Sequence, residues 1–307
     1  MPTAVQIHGK DGNPVASAYI DLFGYQVEST IAFKLLSLGT VTMIGLSCYL
    51  EEWILKALVG FEFYWTMSFV ELVVFAMITY AVTRGWSGGN KPEPRAAPLV
   101  LYVAGASTMA LYTSLGKLAY KYVNYATGTV LKSAKLVPVM AVSVLWLRRS
   151  YSAYDYLAAG LMVASAATFG LGERELEPGG NQVWGFILSF LCLGLGAVQC
   201  NIADKCLRDH GATVNENMLY TNALGAVIVL GAMVAYEGAE ACTYFAENPA
   251  AIALLLVRSV TFWMGAWLYT MLVKHFGVVA AVAVTTARKA LTVMLSFALF
   301  PGDKPLT

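Results

Sequence analysis

The segment that decides the fold of this chain is NYATGTVLKSAKLVPVMAVSVLWLRRS, residues 124–150. It is apolar and long enough for a helix to cross a membrane, yet Lys132 and Lys135 lie near its middle. Side chains three residues apart project from nearly the same face of a helix. Each charge at that depth costs about 3 kcal/mol, and the two repel one another. We therefore expect an anion between them, and we hypothesise that this anion is the substrate.

The composition predicts a membrane protein. The 307 residues are 58% hydrophobic and 13% charged, whereas a soluble domain is about 25% charged. Apolar runs of about 20 residues, the length that crosses a bilayer as a helix, recur along the chain. We therefore predict an all-α polytopic protein surrounded by the lipid bilayer. A net charge of +1 gives no electrostatic reason to expect a nucleic-acid partner.

The cysteines do not indicate a metal site. The sequence has five of them, an odd number without the paired spacing of metal ligands. We expect no metal, no cofactor, and cysteines that act as small buried apolar residues. They are Cys48, Cys192, Cys200, Cys206 and Cys242.

Nine membrane spans are predicted, at about residues 31–50, 61–83, 97–117, 124–147, 153–172, 182–204, 215–236, 250–273 and 276–300. Lys and Arg concentrate in the gaps after the even-numbered spans, and Glu in the gaps after the fifth and seventh. The positive-inside rule then places the even gaps and the N-terminal tail, residues 1–30, in the cytosol. Lys117 and Lys121 in the third gap go against the rule. They are either guides for an anion at the far mouth or a locally solvated pair.

The fourth span is repeated in the ninth. A shift of 154 residues lays LKSAKLVPVM, from residue 131, over TTARKALTVM, from residue 285, and aligns Lys135 with Lys289. A shift of five spans inverts one copy relative to the other. We therefore predict two inverted repeats of five helices, residues 31–172 and residues 182–307. The same shift places a tenth helix beyond residue 307, so we expect that this helix is missing from the sequence.

Six ionisable residues fall inside predicted spans, five of them basic: Glu71, Lys132, Lys135, Arg258, Arg288 and Lys289. An excess of four positive charges costs about 12 kcal/mol, so we predict a water-filled cavity that holds an anionic ligand. We assign Lys289 a direct phosphate contact and Arg288 a bidentate one. In the alternative, one of each basic pair bonds a helix end or Glu71. Arg258 is expected to snorkel to the far interface.

Local breaks and aromatic residues add to this site. Pro138 and Gly128 are expected to interrupt the fourth helix near the substrate or simply to kink it. A cluster of Tyr and Asn residues near the end of the third span could stack on a base or form an interfacial belt. Its members are Tyr112, Tyr120, Tyr122, Asn124 and Tyr125.

These motifs resemble the nucleotide-sugar transporter family of the drug/metabolite transporter superfamily. The similarity is greatest to its branch containing the 3′-phosphoadenosine 5′-phosphosulfate (PAPS) transporters. The basic motifs Leu131 to Met140 and Val284 to Phe297 carry most of it. Further matches are Lys304-Pro305-Leu306-Thr307, Tyr49-Leu50-x-Glu52, Thr113-Ser114-Leu115, and Asn201-x-x-x-Lys205 followed by His210.

The resemblance implies a fold of ten helices in two inverted halves. It also implies a location in Golgi or endoplasmic reticulum membranes and exchange of a cytosolic activated nucleotide for a lumenal nucleoside monophosphate. It implies phosphate contacts for Lys135, Arg288 and Lys289. Further candidates for the substrate pocket are Glu52, Glu71, Tyr112, Asn124, Tyr125, Asn201, Lys205, Thr285 and Thr286.

Several alternatives stay open. The branch often has Gln at the positions of Glu51 and Ala203 and near Glu71, so the substrate is PAPS or a related adenine nucleotide, a UDP-sugar exchanged for UMP, or ATP exchanged for ADP. A membrane phospho- or glycosyltransferase is a further alternative, but we find no Asp/Glu pair at helix depth and expect no enzyme. A homodimer is also left open.

Overall fold

The computed structural model describes residues 19–22, 25–58, 61–86, 95–122, 131–161, 163–164 and 182–299. Helices dominate these residues, and a β-hairpin precedes them. Strands β1 (Tyr19–Leu22) and β2 (Tyr25–Glu28) pair antiparallel. The α-helices are α1 (Ser29–Ala57), α2 (Tyr64–Trp86), α3 (Leu99–Leu118), α4 (Leu136–Leu147), α5 (Gln182–Asp204), α6 (Val214–Tyr236), α7 (Gly238–Glu247), α8 (Pro249–Phe276) and α9 (Val278–Leu299). Residues 153–161 and 163–164 are also helical.

Six helices are long and apolar enough to cross a membrane: Ser29–Leu55, Tyr64–Arg84, Leu99–Leu118, Trp184–Asp209, Val214–Tyr236 and Pro249–Phe276. They coincide with the first, second, third, sixth, seventh and eighth predicted spans, so the prediction of a polytopic helical membrane protein is confirmed. The fourth and ninth predicted spans contain shorter apolar helices over the described side chains, Leu136–Leu147 and Val278–Arg288. The total of nine spans, the two inverted repeats and the tenth helix stay predictions.

Local sequence explains where several helices begin and end. Thr213 caps α6, because its hydroxyl accepts a hydrogen bond from the backbone N–H of Glu216 at 3.1 Å, as in the first half of a capping box. Pro249 is the first residue of α8, a position where the missing N–H costs nothing. Gly277 ends α8 with φ at 87°, a conformation that glycine adopts without strain.

The segment with the two lysines changes its helical form. Lys132–Lys135 is a 3₁₀-helix, and α4 begins at Leu136. Pro138 lies in the first turn of α4 and has no N–H to donate to the carbonyl four residues earlier. The helical form therefore changes just before Pro138, while Gly128, the other predicted break, lies outside the described residues. The common face predicted for Lys132 and Lys135 stays a prediction, because the side chain of Lys132 lies outside the described residues.

The described connecting segments gather at two ends of the bundle. At one end, the Glu237 carboxylate accepts hydrogen bonds of 2.7 Å from the backbone N–H groups of Trp65 and Thr66 and from the Thr66 hydroxyl. At the same end Lys121 pairs with Glu62 at 2.7 Å. We call this end, which among the described residues comprises 58, 61–63, 119–122 and 237–248, the Glu237 end.

At the other end, Arg149 donates hydrogen bonds to Asp204 at 3.2 Å and Asp209 at 2.7 Å. There Lys274 donates to the carbonyl of Ala212 at 3.2 Å. We call this end, which comprises residues 95–98, 148–152, 205–213 and 274–277, the Asp204 end. The two groups correspond to odd-numbered and even-numbered gaps in the predicted order of spans.

Helix pairing follows a regular scheme among the described elements. Helix α1 packs on α8, α3 packs on both α5 and α6, and α2 packs on α6. Helix α4 packs on α5, and α9 packs on α8 and α1. Apolar side chains of α1, α4, α5, α8 and α9 form the largest buried cluster, which includes Leu36, Val139, Ala197, Leu272 and Val282.

Three local features differ from the predictions. The predicted tail of residues 1–30 contains the hairpin β1–β2, whose Ile20 is buried against the largest cluster. Residues 238–247, predicted as part of a gap, form α7, whose Tyr244 and Phe245 pack on Phe61. Cys242 on α7 is exposed, so the prediction of buried cysteines was wrong at that position.

Candidate functional site

A cavity of about 300 Å³ lies inside the bundle. Helices α1, α2, α3, α5, α6, α8 and α9 line it, together with Lys135 from the 3₁₀ turn before α4. Its lining is mainly apolar and includes charged, amide and hydroxyl side chains. The described residues therefore form a partly open cavity with a few polar groups among helices of membrane-spanning length, a place where transporters hold their substrates.

Two basic side chains reach the cavity from the two segments that the predicted repeat aligns. Lys135 places its ammonium nitrogen 4.6 Å from the centre of the Tyr112 ring, within the range of a cation–π contact. Arg288 lies on α9 and is 6% exposed. Both lysine and arginine suit phosphate oxygens, lysine as a point charge and arginine as a planar two-pronged donor.

Gly196 on α5 makes room for Lys135 and its aromatic neighbour. A Cβ atom at position 196 would lie 2.9 Å from Cε2 of Tyr112 and 3.1 Å from Cε of Lys135. Both distances are shorter than ordinary van der Waals contacts, so a larger residue would displace one side chain or the other. The run of small residues in this helix therefore positions the lysine as well as permitting close packing.

A second group of charges lies on the cavity wall nearer the Glu237 end. Arg258 on α8 binds Glu71 on α2, and its Nη2 lies 2.6 Å from the Glu51 carboxylate on α1. Lys117 on α3 donates to Glu71 at 2.9 Å and to the Ser68 hydroxyl at 3.1 Å. We call Glu51, Glu71, Lys117 and Arg258 the charge quartet. All four are buried, and two acids balance two bases.

The quartet corrects three predictions. Arg258 is 2% exposed and does not snorkel to an interface, because two carboxylates bind it within the bundle. Lys117 is not a solvated member of a surface pair, although Lys121 does form an exposed pair with Glu62. The expected absence of a buried acidic pair was also wrong, because Glu51 and Glu71 both contact Arg258.

The charge balance of the cavity is therefore smaller than the sequence suggested. Among its described lining residues four are basic, namely Lys117, Lys135, Arg258 and Arg288, and two are acidic. Because the quartet is neutral by itself, the two remaining bases of the described lining are those of the wall that carries Lys135 and Arg288. An anion that enters the cavity is expected to be attracted first to that wall.

The other predicted site residues divide into three groups. Glu71, Tyr112 and Thr285 line the cavity beside Lys135 and Arg288. Four lie outside the described lining: Glu52, Asn201, Lys205 and Thr286. Asn124 and Tyr125 fall outside the described residues, as do the side chains of Lys132 and Lys289.

The residues outside the lining have other contacts. Asn201 is fully buried, and its amide donates to the carbonyls of Val139 at 3.1 Å and Ala197 at 2.9 Å. It thus joins α4 to α5. The Lys205 ammonium lies 3.9 Å from Asp209 and 5.7 Å from the centre of the Trp146 ring, at the Asp204 end. Asn201 and Lys205, the two residues of the Asn201-x-x-x-Lys205 motif, therefore stabilise helix packing beside the cavity.

Several lining residues were missed from the sequence. Glu51 stands next to the predicted Glu52, and only its place on the inner face of α1 distinguishes the two. Asn217, Thr221 and Asn222 on α6 also line the cavity. Their signal in the sequence is the spacing of four residues between Asn217 and Thr221, which places polar groups on one face of an apolar helix.

The Asp204 end has a charge network of its own. Asp204 is fully buried and accepts hydrogen bonds from Arg149 and from the backbone N–H of Val278, at the start of α9, at 3.3 Å. Burial alone lowers the pKa of Arg149, but the hydrogen bond to Asp209 and the charge of Asp204 outweigh it and raise the pKa of Arg149. This guanidinium is therefore charged at every physiological pH. It joins the segment after α4 to Asp204 of α5, which in turn binds the first residue of α9.

Comparison with known proteins agrees with this architecture. The family model described as the UAA transporter family matches residues 33–307. The chain is 31% identical over 303 residues to the Adenosine 3'-phospho 5'-phosphosulfate transporter 2 of Aedes aegypti, covering 97% of this chain and 76% of the relative. Proteins of the same name from Caenorhabditis briggsae and Caenorhabditis elegans are 29% and 30% identical. They cover 99% and 94% of this chain and 85% and 79% of their own lengths.

Proposed function

The chain belongs to the UAA transporter family, and we propose that it carries an anionic adenine nucleotide, with PAPS as the first candidate, from the cytosol to the Golgi or endoplasmic reticulum lumen in exchange for a nucleoside monophosphate. The named relatives support PAPS as the substrate. The single observation that carries the proposal is that two bases, Lys135 and Arg288, line the cavity in addition to the neutral charge quartet.

The two basic residues are proposed to bind phosphate or sulfate oxygens. Lys135 supplies a point charge held in place by Tyr112, and Arg288 supplies two parallel donors. Lys132 and Lys289 are proposed to join them, because Lys132 lies three residues before Lys135 in the sequence and the predicted repeat aligns Lys289 with Lys135. The aromatic ring of Tyr112 and the polar face of α6 leave a neighbouring surface for the nucleoside.

Exchange follows from electrostatics. Closing and reorienting a cavity with an excess of positive charge exposes that charge to a low-dielectric surrounding, which is costly without a counter-ion. A nucleotide bound on either side supplies the counter-charge and makes reorientation favourable. The empty carrier therefore returns slowly, and the carrier moves one nucleotide in each direction.

Helix pairing supports the proposed inverted repeats of residues 31–172 and 182–307. The repeat would make α5 the counterpart of α1, α6 of α2, α8 of α3 and α9 of α4. Replacing each helix by its counterpart turns the α1–α8 contact into an α5–α3 contact and leaves the α2–α6 contact unchanged. Contact of α1 with α9 becomes contact of α5 with α4. All of these pairs occur. The Asp204 end, rich in Arg and Lys, is proposed to face the cytosol.

A second candidate is a UDP-sugar exchanged for UMP. It is favoured by one observation: Glu51 and Ala203, the positions where the PAPS branch often has Gln, both line the cavity, as does Glu71, near which the branch often has Gln. A change of substrate within the family would be expected to alter lining residues. ATP exchanged for ADP uses the same phosphate chemistry and is distinguished by the same assay.

Exchange by purified protein in proteoliposomes tests the proposal. Vesicles are preloaded separately with adenosine 3′,5′-bisphosphate, AMP, UMP or GMP and then given labelled PAPS, ATP or a UDP-sugar outside. Uptake of PAPS only with an adenine nucleotide inside is the expected result. Uptake of a UDP-sugar driven by UMP would favour the second candidate. The absence of exchange with all of these compounds would contradict the proposal.

Two variants connect exchange to the cavity. Lys135→Ala is expected to abolish exchange while the protein elutes from gel filtration like the wild type. Lys121→Ala is the matched control, because that lysine is exposed at the Glu237 end.

The buried carboxylates Glu51 and Glu71 are a reason to test for phospho- or glycosyltransferase activity. Chemical change of the nucleotide by the purified protein would support that alternative.

A further inference from the structure

Two layers of side chains separate the described cavity from the Glu237 end. The outer layer is a packed apolar cluster that contains Ile54 on α1, Met67 on α2 and Leu255 on α8. Phe61 and the α7 residues Tyr244 and Phe245 join this cluster. The inner layer is the charge quartet, and all four of its members line the cavity.

The two layers lie one helical turn apart on three helices. Ile54 follows Glu51 by three residues on α1, Met67 precedes Glu71 by four on α2, and Leu255 precedes Arg258 by three on α8. A rise of about 1.5 Å per residue puts the quartet about 5 Å closer to the cavity. Any path from the cavity to the Glu237 end through these helices must therefore separate both layers.

The inner layer is not needed to fill space. Apolar side chains of similar volume stabilise a bundle at least as well as a buried ion network, because the desolvation of the charges offsets their attraction. Unlike apolar side chains, the charged side chains of an ion network can also form a second, open arrangement of the helices, in which the separated charges are hydrated or bind another ion. Arg258 is the central member, since it comes from α8 and binds carboxylates from α1 and α2.

We propose that the charge quartet is the inner gate of the transport path at the Glu237 end, with Arg258 as the residue that couples the gate to an anion in the cavity. This inference rests on the proposed function for the identity of the anion only. In the empty cavity Glu51 and Glu71 hold Arg258 and keep α8 against α1 and α2. An anionic nucleotide bound nearby competes for the guanidinium, loosens both contacts and lets the Glu237 end open.

Cys48 provides a reporter for the gate. It lies on α1 one turn inside Glu51 and lines the cavity, so a membrane-impermeant maleimide supplied at the Glu237 end reaches it only when both layers separate. The other four cysteines are replaced by serine, which removes the exposed thiol of Cys242. The protein is reconstituted in vesicles of determined orientation, and the rate of Cys48 labelling is measured.

Glu51→Gln is the first variant, because it removes the charge that binds Nη2 of Arg258 at 2.6 Å. Loss of a hydrogen bond between charged groups is expected to speed labelling from the Glu237 end by about tenfold or more. Glu62→Gln is the matched control, since it removes a carboxylate from an exposed pair at the same end and is expected to leave the rate unchanged. Equal rates for wild type and both variants would overturn the gate.

A second experiment uses the protein with Glu51 intact, so that the proposal can be tested even if Glu51→Gln does not fold. Nucleotide supplied at the Asp204 end is expected to speed Cys48 labelling from the Glu237 end, and UMP, AMP and adenosine 3′,5′-bisphosphate are used in turn as probes. Rapid labelling without any nucleotide, or a rate that none of the three changes, would overturn the coupling. Labelling of Glu51→Gln needs no transport, so its outcome is separate from that of the exchange assay.

Discussion

Substitution of Gly196 by alanine tests whether α5 positions Lys135, the lysine proposed to bind the nucleotide. The added Cβ would lie 2.9 Å and 3.0 Å from two ring carbons of Tyr112 and 3.1 Å from Cε of Lys135. Ordinary contacts begin at 3.4 Å, so these neighbours must retreat by about 0.3 to 0.5 Å, a displacement that costs dispersion energy on a steep potential. The retreat moves both the ammonium group and the ring that holds it.

The expected cost is about 1 to 3 kcal/mol, the range for one extra carbon in a packed interior. If that cost falls on nucleotide binding, the dissociation constant rises by about 5- to 150-fold. Replacing a helical glycine by alanine also stabilises the helix itself, by about 0.5 to 1 kcal/mol. We therefore expect weaker binding with little loss of thermal stability.

Gly194→Ala is the matched control, because no atom lies within 4 Å of a Cβ at that position. Both variants are purified in detergent, and nucleotide binding is measured by calorimetry alongside thermal unfolding. Gly196→Ala should bind more weakly than wild type, and Gly194→Ala should bind as wild type does. Equal affinities for the two variants would refute the role of Gly196 in positioning Lys135.

Three further substitutions test the contacts that hold the bundle together. Glu237→Gln should lower stability by about 1 to 2 kcal/mol in thermal unfolding, because its carboxylate caps α2 with two backbone hydrogen bonds; Glu240→Gln, on the neighbouring turn of α7, should not. Asn201→Ala should lower stability by about 1 to 3 kcal/mol, since it leaves the carbonyl of Val139 without its buried donor. Glu62→Gln should change stability by less than about 1 kcal/mol, as its ion pair is exposed; a larger loss would contradict that estimate.

The long helices could be predicted because hydrophobic length is a local property of the sequence. The composition of the run from Pro249 to Phe276 alone predicts a membrane-spanning helix. The proline at its start and the glycine after its end mark its boundaries. The short helix α7 could not be found in the same way. Its Tyr244 and Phe245 resemble loop aromatics until Phe61, almost two hundred residues earlier, is known to lie against them.

The charged residues of the cavity likewise include some that the sequence identified and some that it did not. Lys135 was identifiable because no lipid-facing helix would carry it, and the structure places it on the cavity wall. The partner of Arg258 was not identifiable, because a charge near the end of a span is compatible with snorkelling unless an acid faces it. Glu51 and Glu71 come from two other helices, and only the packing of α8 against α1 and α2 brings them to the guanidinium.

The two charge centres of the cavity differ in a way that suits the proposed exchange. The quartet is neutral, so it adds no net charge to the cavity. The two remaining bases of the described lining are Lys135 and Arg288. If both stay charged in an empty, closed cavity, at about 3 kcal/mol for each charge at membrane depth, the cost is about 6 kcal/mol. One decade in rate corresponds to about 1.4 kcal/mol, so the proposal predicts that the empty carrier returns up to about 10⁴-fold more slowly than the loaded one. Efflux of labelled nucleotide into buffer with and without nucleotide outside measures this difference, and equal rates would contradict obligatory exchange.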